Sequence, residues 1–364
     1  MVRTMSILRA LIGTARSVRH APPLAAALPP DDDVLLDAPD ERLAPALVAA
    51  ALSDPEPAAK LLATTRDAAE WENRDRYVAR LATFAYSRDE WLAHWLAAAP
   101  RDPDALLLKA ELAVRRAWQS PARAERLREL GPLIDAAAEA TPRDPVPWRL
   151  ALDHARGTHA GHTAFESLWE QAVRRSPHHY GCHVAALKYL SAQCRALWGD
   201  TPHTPRSSHR ECLDFAEQAA EDALPGSLVQ ALPVRAAFAQ FLAGSGTLQE
   251  DRIDAAADRA LALSAQYPQG DPWPAEVRNL LVYVLVRRGR WQDALEEFRR
   301  IGPYATSFPW ALVSGDPLGR FLDARDAVRA EVARTIPLRG AVLGGGRGAG
   351  YGRAGRRGPD GHYA

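Results

Sequence analysis

The stretch SPHHYGCH, Ser176–His183, places three histidines and one cysteine within eight residues, and no other part of the chain concentrates reactive side chains in this way. Imidazole and thiolate groups are the ligands that zinc and copper prefer. His179 and His183 are four residues apart, which puts them on one face of a helix, with Cys182 beside them. More residues of the same two types follow: Cys194, His203, His209 and Cys212. A metal-binding protein is therefore one hypothesis for this chain.

Sequence motifs for other chemistry are missing. The stretch GYGRAG, Gly350–Gly355, matches the glycine spacing of dinucleotide-binding loops, but it follows no strand and opens no helix. The sequence contains no phosphate-binding loop that ends in Lys-Ser or Lys-Thr, no H-E-x-x-H, no C-x-x-C and no G-x-S-x-G. We therefore expect no catalytic residues, no cofactor, no small-molecule substrate and no enzymatic activity.

Composition restricts the partner and the compartment. The 364 residues hold 45 Lys+Arg and 45 Asp+Glu, so no net field attracts nucleic acid or an anionic membrane. Three cysteines do not make a disulfide framework, which is typical of the reducing cytoplasm. No apolar run approaches the ~20 residues that a transmembrane helix needs. We expect a cytoplasmic protein without a transmembrane segment, for which nucleic acid is not the main partner.

Residues 41–335 have the pattern of a helical protein. Alanine, leucine, arginine and glutamate dominate, and apolar residues recur at intervals of three and four, as in Ile253, Ala256, Ala257 and Ala260. Proline or glycine interrupts the pattern at regular intervals, which is typical of successive helix pairs. No strand pair or hairpin turn is indicated. The sequence therefore predicts an all-α fold.

The tetrapeptide PRDP organises these helices, because it occurs at Pro100–Pro103 and again at Pro142–Pro145, each time before a helix. Pro177 and Pro272 extend the same register. Ten and thirteen residues after each of these prolines the side chains are all apolar, as the inner face of stacked helices requires. His183 stands at the same distance from its register proline as Leu106 and Trp148 do from theirs. A hydrogen-bonded, partly buried histidine is therefore the alternative to a metal ligand. In that interpretation Ser176 and Pro177 start a helix.

The segment LLVYVLVRRGRWQDALEEFRRIG, Leu280–Gly302, resembles a tetratricopeptide repeat. Gly289 stands at the turn, Trp291 opens the second helix, and Ala294 and Phe298 hold the small and aromatic positions of the motif. Residues 70–300 are also similar to a group of bacterial helical-repeat proteins, without an assigned activity, that are common in actinomycetes. The resemblance implies a right-handed α-solenoid of antiparallel helix pairs, with a concave groove that binds a peptide or protein segment. A non-enzymatic interaction scaffold or adaptor is the leading hypothesis.

If the resemblance holds, the groove is lined by first-helix residues seven and eleven positions after the register prolines, one helical turn apart. The alternative is that these side chains form an ordinary solvated helix face. The strip has mixed charge and lacks the repeated basic and amide residues that clamp a C-terminal carboxylate. The expected groove residues are Glu111, Arg149, Asp153, Lys188, Asn279 and Tyr283.

The two ends of the chain differ from this domain. Residues 1–40 combine a basic amphipathic segment with a proline-rich linker, and we weigh a self-packing terminal helix against attachment to a membrane surface. Residues 336–364 are rich in glycine and arginine, and we expect a disordered tail. Because such tails bind single-stranded RNA through arginine and tyrosine stacking, a nucleic-acid-associated regulator is the alternative function.

Overall fold

The computed structural model describes residues 27–198, 206–243 and 249–335, with side chains over 27–191, 210–243 and 249–335. These residues are mostly helical, which confirms the all-α prediction. The basic amphipathic segment expected near the N-terminus and the expected glycine-rich tail lie outside the described residues. The helices are α1 (Leu43–Ala51), α2 (Glu56–Asp67), α3 (Trp71–Ser87), α4 (Glu90–Ala98), α5 (Pro103–Trp118), α6 (Arg123–Arg128), α7 (Gly131–Ala140), α8 (Val146–Gly157), α9 (His162–Arg175), α10 (Tyr180–Trp198), α11 (Arg206–Asp222), α12 (Leu232–Ala243), α13 (Glu250–Ser264), α14 (Ala275–Arg287), α15 (Trp291–Ile301), α16 (Ser307–Trp310) and α17 (Pro317–Thr335).

Both PRDP tetrapeptides precede a helix, as the sequence predicts. Asp102 caps α5, because its side chain accepts hydrogen bonds from the backbone N–H groups of Asp104 and Ala105, each at 2.9 Å. Asp144 has the same role before α8 and accepts from the N–H of Val146 at 2.8 Å. The aspartate of the motif thus satisfies backbone donors that the first helical turn leaves unpaired.

The predicted helix start at Ser176 and Pro177 is wrong. Ser176 is instead the last residue of the preceding unit, since its N–H donates to the carbonyl of Ala172 and closes α9. Helix α10 begins three residues after Pro177, at Tyr180. The physical reason is that the backbone of Ser176 completes α9, so the next helix starts only after the turn that follows it.

Six helices, which we call the inner helices, contact one another in chain order: α3, α5, α8, α10, α12 and α14. Helix α3 also contacts α8 and α10, so the first inner helix lies against the middle of the series. Most of the remaining longer helices pack against these six, as α7 does against α5 and α15 against α14, whereas α17 packs against α15 and α16. Side chains of all six inner helices therefore meet in one region of the molecule.

The segment that resembles a tetratricopeptide repeat forms α14 and α15, joined by three residues. Gly289 has a φ of 69°, a conformation that glycine adopts without strain. Ala294 is fully buried between the helices, and the Phe298 ring lies 5.2 Å from the Phe321 ring of α17. The small residue and the aromatic residue therefore both pack in the core.

Residues 27–40, expected to form a linker, contact α3 and the C-terminal part of the described chain. The short strands β1 (Leu35–Leu36) and β2 (Tyr304–Ala305) pair in parallel, which the sequence pattern does not indicate. Asp31 forms an ion pair with the buried Arg325 of α17, and Asp40 forms one with Arg76 of α3. We call residues 27–40 the strap, because they connect α3 to the C-terminal helices.

None of the helices in the described ranges combines the length and the apolar character needed to cross a membrane.

Candidate functional site

A cavity of about 450 Å³ lies where the inner helices meet, and each of the six contributes at least one lining side chain. Its polar lining consists mainly of acidic and basic residues, in keeping with the mixed-charge strip predicted from the sequence. The residues are Glu72, Asp75, Arg76, Ala79, Arg80, Glu111, Arg115, Arg149, Asp153, Tyr180, Gly181, Val184, Ala185, Lys188, Leu228, Arg235, Trp273, Glu276, Val277 and Phe308.

Arg149 of α8 is the centre of an ion network on the cavity wall. Its Nη2 lies 2.8 Å from Asp75 Oδ1 of α3 and 2.8 Å from Glu111 Oε2 of α5, and its Nη1 lies 3.6 Å from Asp153 Oδ2. Burial lowers the pKa of Arg149, but these three carboxylates outweigh that effect and raise it well above its usual range. The guanidinium is therefore charged at any physiological pH and holds three helices in a fixed arrangement.

Asp75 fits into this network because residue 181 is glycine. A Cβ atom at position 181 would lie 2.0 Å from Asp75 Oδ2, closer than two atoms can approach. The same oxygen of Asp75 is also near His179, whose Nε2 lies 3.8 Å from Oδ2. The first turn of α10 thus packs directly against the carboxylate of α3 that binds Arg149.

A second ion network joins α10 to α12 and α14. Arg235 of α12 donates to the Tyr180 hydroxyl at 3.0 Å and to Glu276 Oε1 of α14 at 2.7 Å. Its guanidinium carbon lies 4.2 Å from the centre of the Phe308 ring, a distance at which a cation attracts an aromatic face. These contacts fix an aromatic side chain at the cavity edge.

Lys188, also on α10, differs from the other cations of the cavity. Its side chain is exposed to the cavity, yet the surrounding protein lowers the pKa of the ammonium by burial, against the opposing effect of Asp153. The pKa of Asp153 moves down although burial raises it, because Lys188, Arg149 and Arg156 favour the carboxylate. Lys188 forms no ion pair with any described acidic side chain, whereas Asp153 pairs with Arg149 and Arg156.

Three residues of the SPHHYGCH stretch, His179, Cys182 and His183, are buried in the core. His179 is fully buried, and its Nδ1 lies 3.1 Å from Cys182 Sγ and accepts from the Cys182 N–H at 3.2 Å. Burial raises the pKa of the Cys182 thiol, which is also fully buried and does not line the cavity. Among the described residues no group of three or more His, Cys, Asp or Glu side chains is arranged to hold a metal ion.

His183 is a buried, hydrogen-bonded side chain, as its position relative to the register proline predicts. Its Nδ1 lies 3.0 Å from the carbonyl oxygen of His179, and its ring packs at 5.0 Å against the Trp169 ring. Burial lowers the pKa of His183, so the imidazole is neutral at pH 7. The side chains of Cys194, His203 and His209 lie outside the described residues.

Of the six groove residues expected from the sequence, Glu111, Arg149, Asp153 and Lys188 line the cavity together. Asn279 is buried elsewhere: its Oδ1 accepts from the indole N–H of Trp310 at 2.9 Å. Tyr283 packs at 5.0 Å against Phe238 and does not line the cavity. The residues of α14 that line the cavity are instead Glu276 and Val277. They lie about one helical turn before the positions that the register predicts.

The sequence interpretation missed the contribution of α3 and α12. In α3 the polar residues Glu72, Asp75, Arg76 and Arg80 recur at intervals of three, one and four, which places them on one helix face. That pattern was a usable signal, but α3 precedes the first PRDP copy and lies outside the register. Arg235 of α12 falls in the long interval between Pro177 and Pro272, where no register position applies.

Comparison with family models, with curated proteins and with solved structures finds no match to this chain.

Proposed function

We propose that this chain is a non-enzymatic interaction protein whose helices form a right-handed α-solenoid of antiparallel pairs, and whose cavity receives the end of a peptide or protein segment. The observation that carries the proposal is the convergence of six inner helices, from α3 to α14, on one lined cavity. A helical array that only stacked its repeats would need no such arrangement of charged side chains.

The size and rigidity of the cavity support binding. A volume of about 450 Å³ falls within the range of ~300–1,000 Å³ typical of ligand sites. Arg149 and Arg235 are each held by contacts with other helices, so the walls are ordered before a ligand arrives. Preorganised walls reduce the entropy lost on binding. The same volume favours a short chain end over a longer segment that runs through the groove.

The side chains of the cavity support a binding role over catalysis. The lining residues in the described part of the chain include no serine, threonine, cysteine or histidine. Asp75, Glu111 and Asp153, the acids nearest Arg149, are held in ion pairs with it. For the compartment we propose the cytoplasm, in keeping with the buried, reduced Cys182.

The experiment that tests the proposed function is affinity capture from a lysate of the source organism. Lys188→Glu reverses a cavity charge without removing an ion pair, and Glu170→Lys, on the exposed face of α9, is the matched control. We expect the wild type and Glu170→Lys to retain the same partner, and Lys188→Glu to lose it. A partner retained equally by all three proteins would contradict binding in the cavity.

A further inference from the structure

Lys188 is a cation of the cavity that forms no ion pair with a described acidic side chain. The five arginines of the lining each form an ion pair: Arg76 with Asp40, Arg80 with Asp37, Arg115 with Glu111, Arg149 with three acids, and Arg235 with Glu276. Lys188 is the exception among the described residues that line the cavity. Its side chain lines the cavity, and none of the described carboxylates lies within 4 Å of its ammonium, so a bound anion would supply the missing counter-charge.

The charges around Lys188 favour an anion with a single charge. Asp153 and Glu276 act on Lys188 from α8 and α14, and Arg156 and Arg235 act on it from α8 and α12. Both acids are already paired with arginines, which leaves one ammonium charge for a ligand. A phosphate dianion would bring a second negative charge close to Asp153 and Glu276. A carboxylate brings one charge and two acceptor oxygens, which suits a point-charge donor such as lysine.

Apolar side chains lie next to Lys188 on the same wall. Val184 and Ala185 precede it by about one turn on α10, and Val277 of α14 and Phe308 of α16 line the same cavity. A ligand whose carboxylate reaches Lys188 therefore places the atoms attached to the carboxylate against apolar surface, where burial stabilises the complex.

We propose that Lys188 binds the carboxylate of a ligand whose adjoining group is apolar. This inference rests on the proposed function, since it assigns the chemistry of the cavity's ligand. The carboxylate belongs either to the end of a peptide or to a small organic acid, and these two sources share the same contact with Lys188.

The chain itself provides the controls for a test, because Lys60, Lys109 and Lys188 are its only lysines. The full-length protein is treated with a limiting amount of an acetylating reagent, and the acetylation rate of each lysine is measured by peptide mass spectrometry. The probes are phenylacetate, its neutral analogue phenylacetamide, and inorganic phosphate at equal ionic strength. Acetyl-glycyl-phenylalanine and its C-terminal amide represent a peptide end.

We expect phenylacetate to slow acetylation of Lys188 about tenfold at ten times its half-maximal concentration, because about one tenth of the sites then remain free. Lys60 and Lys109 should react at unchanged rates, and phenylacetamide and phosphate should protect none of the three. Protection by the peptide acid at a lower concentration than phenylacetate assigns the carboxylate to a peptide end, and the reverse order assigns it to a small acid. Equal protection of all three lysines, or the absence of protection at Lys188, would overturn the inference.

A variant pair gives an independent readout that does not depend on lysine reactivity. Lys188→Gln should melt close to the wild type in the absence of ligand, since no described ion pair is removed, but phenylacetate should no longer raise its Tm. Lys188→Arg should retain the increase. If Lys188→Gln is still stabilised as much as the wild type, the inference fails. The proposed function would survive that result if Lys188→Glu still lost its partner in the capture experiment.

Discussion

Arg149 Nη2 lies 2.8 Å from Asp75 Oδ1, so helices 74 residues apart in sequence meet through one ion pair at the cavity wall. Gly181 of α10 is packed against the other oxygen of Asp75. Three inner helices thus depend on one carboxylate, and the shape of the cavity depends on the same contact. Stability measurements at these positions therefore report on how the cavity is built.

Gly181→Ala tests this contact. The added Cβ would lie 2.0 Å from Asp75 Oδ2 and must displace the carboxylate from Arg149. Breaking a buried ion pair costs ~3–5 kcal/mol, and alanine recovers ~0.5–1 kcal/mol of helix propensity, so we expect a net loss of about 2–4 kcal/mol in the free energy of unfolding. Chemical denaturation measures it. In an Asp75→Ala background the same substitution should no longer destabilise, and an equal loss in both backgrounds would contradict the role of this contact.

Arg74 of α3 holds a second, fully buried ion cluster away from the cavity. Its Nε lies 2.5 Å from Asp144 Oδ2 and its Nη2 lies 2.7 Å from Asp104 Oδ1. Arg74→Met leaves the buried Asp144 without an ion pair and Asp104 with Arg66 alone, and should lower the free energy of unfolding by about 3–5 kcal/mol. Arg174→Met, which removes the exposed pair with Glu170, should change it by less than about 1 kcal/mol. Similar losses in the two variants would show that the cluster does not hold the N-terminal helices.

These two ion clusters show what the sequence could and could not predict. The helix starts after PRDP were predictable because an aspartate cap acts within three residues of itself. The partners of Asp75 and Asp144 were not, because Arg149 and Arg74 lie more than sixty residues away and one sequence carries no signal of such a contact. Four of the cavity residues were found through the PRDP register together with the resemblance to tetratricopeptide repeats. Asn279 was wrongly predicted to line the groove. A polar residue that forms hydrogen bonds within the core occurs at the same helical spacing as one that faces a ligand, so the sequence does not distinguish the two.

The strap was not predicted from the sequence either, because two-residue strands have no periodicity to detect. Asp37 anchors it: the carboxylate accepts from the Ser307 N–H at 3.0 Å and from the Ser307 hydroxyl, and it lies 3.4 Å from Arg80 Nη1. Asp37→Ala removes two hydrogen bonds to a charged acceptor, each worth ~1.5–3 kcal/mol, and should destabilise the fold by about 3–6 kcal/mol. The exposed Asp32→Ala serves as control and should be within about 0.5 kcal/mol of the wild type. If Asp37→Ala were as stable as this control, the strap would not hold the C-terminal helices to α3.

His183 gives the fold a defined pH dependence. Because burial lowers its folded-state pKa, the unfolded chain binds a proton at His183 before the folded chain does as the pH falls through about 6.5. Proton binding then favours unfolding, so this residue should lower the free energy of unfolding by about 1 kcal/mol between pH 7.5 and pH 5.

The comparison that isolates this effect is His183→Phe, which keeps an aromatic ring against Trp169 but cannot bind a proton. Urea unfolding at both pH values should show a smaller decrease for this variant than for the wild type. His94→Gln, at an exposed position of α4, should retain the full decrease. A wild-type decrease that persists unchanged in His183→Phe would show that another group is responsible.

Photo-crosslinking shows whether the partner binds inside the cavity. A photoreactive phenylalanine analogue is placed at Val184, on the cavity wall, and in a second protein at Val48, which is 63% exposed on α1. Both proteins are incubated with lysate of the source organism and irradiated. We predict a crosslinked partner from position 184 that is reduced by Lys188→Glu, and none from position 48. Crosslinking of the same partner from position 48 alone, or from both positions regardless of Lys188, would show that the partner does not bind inside the cavity.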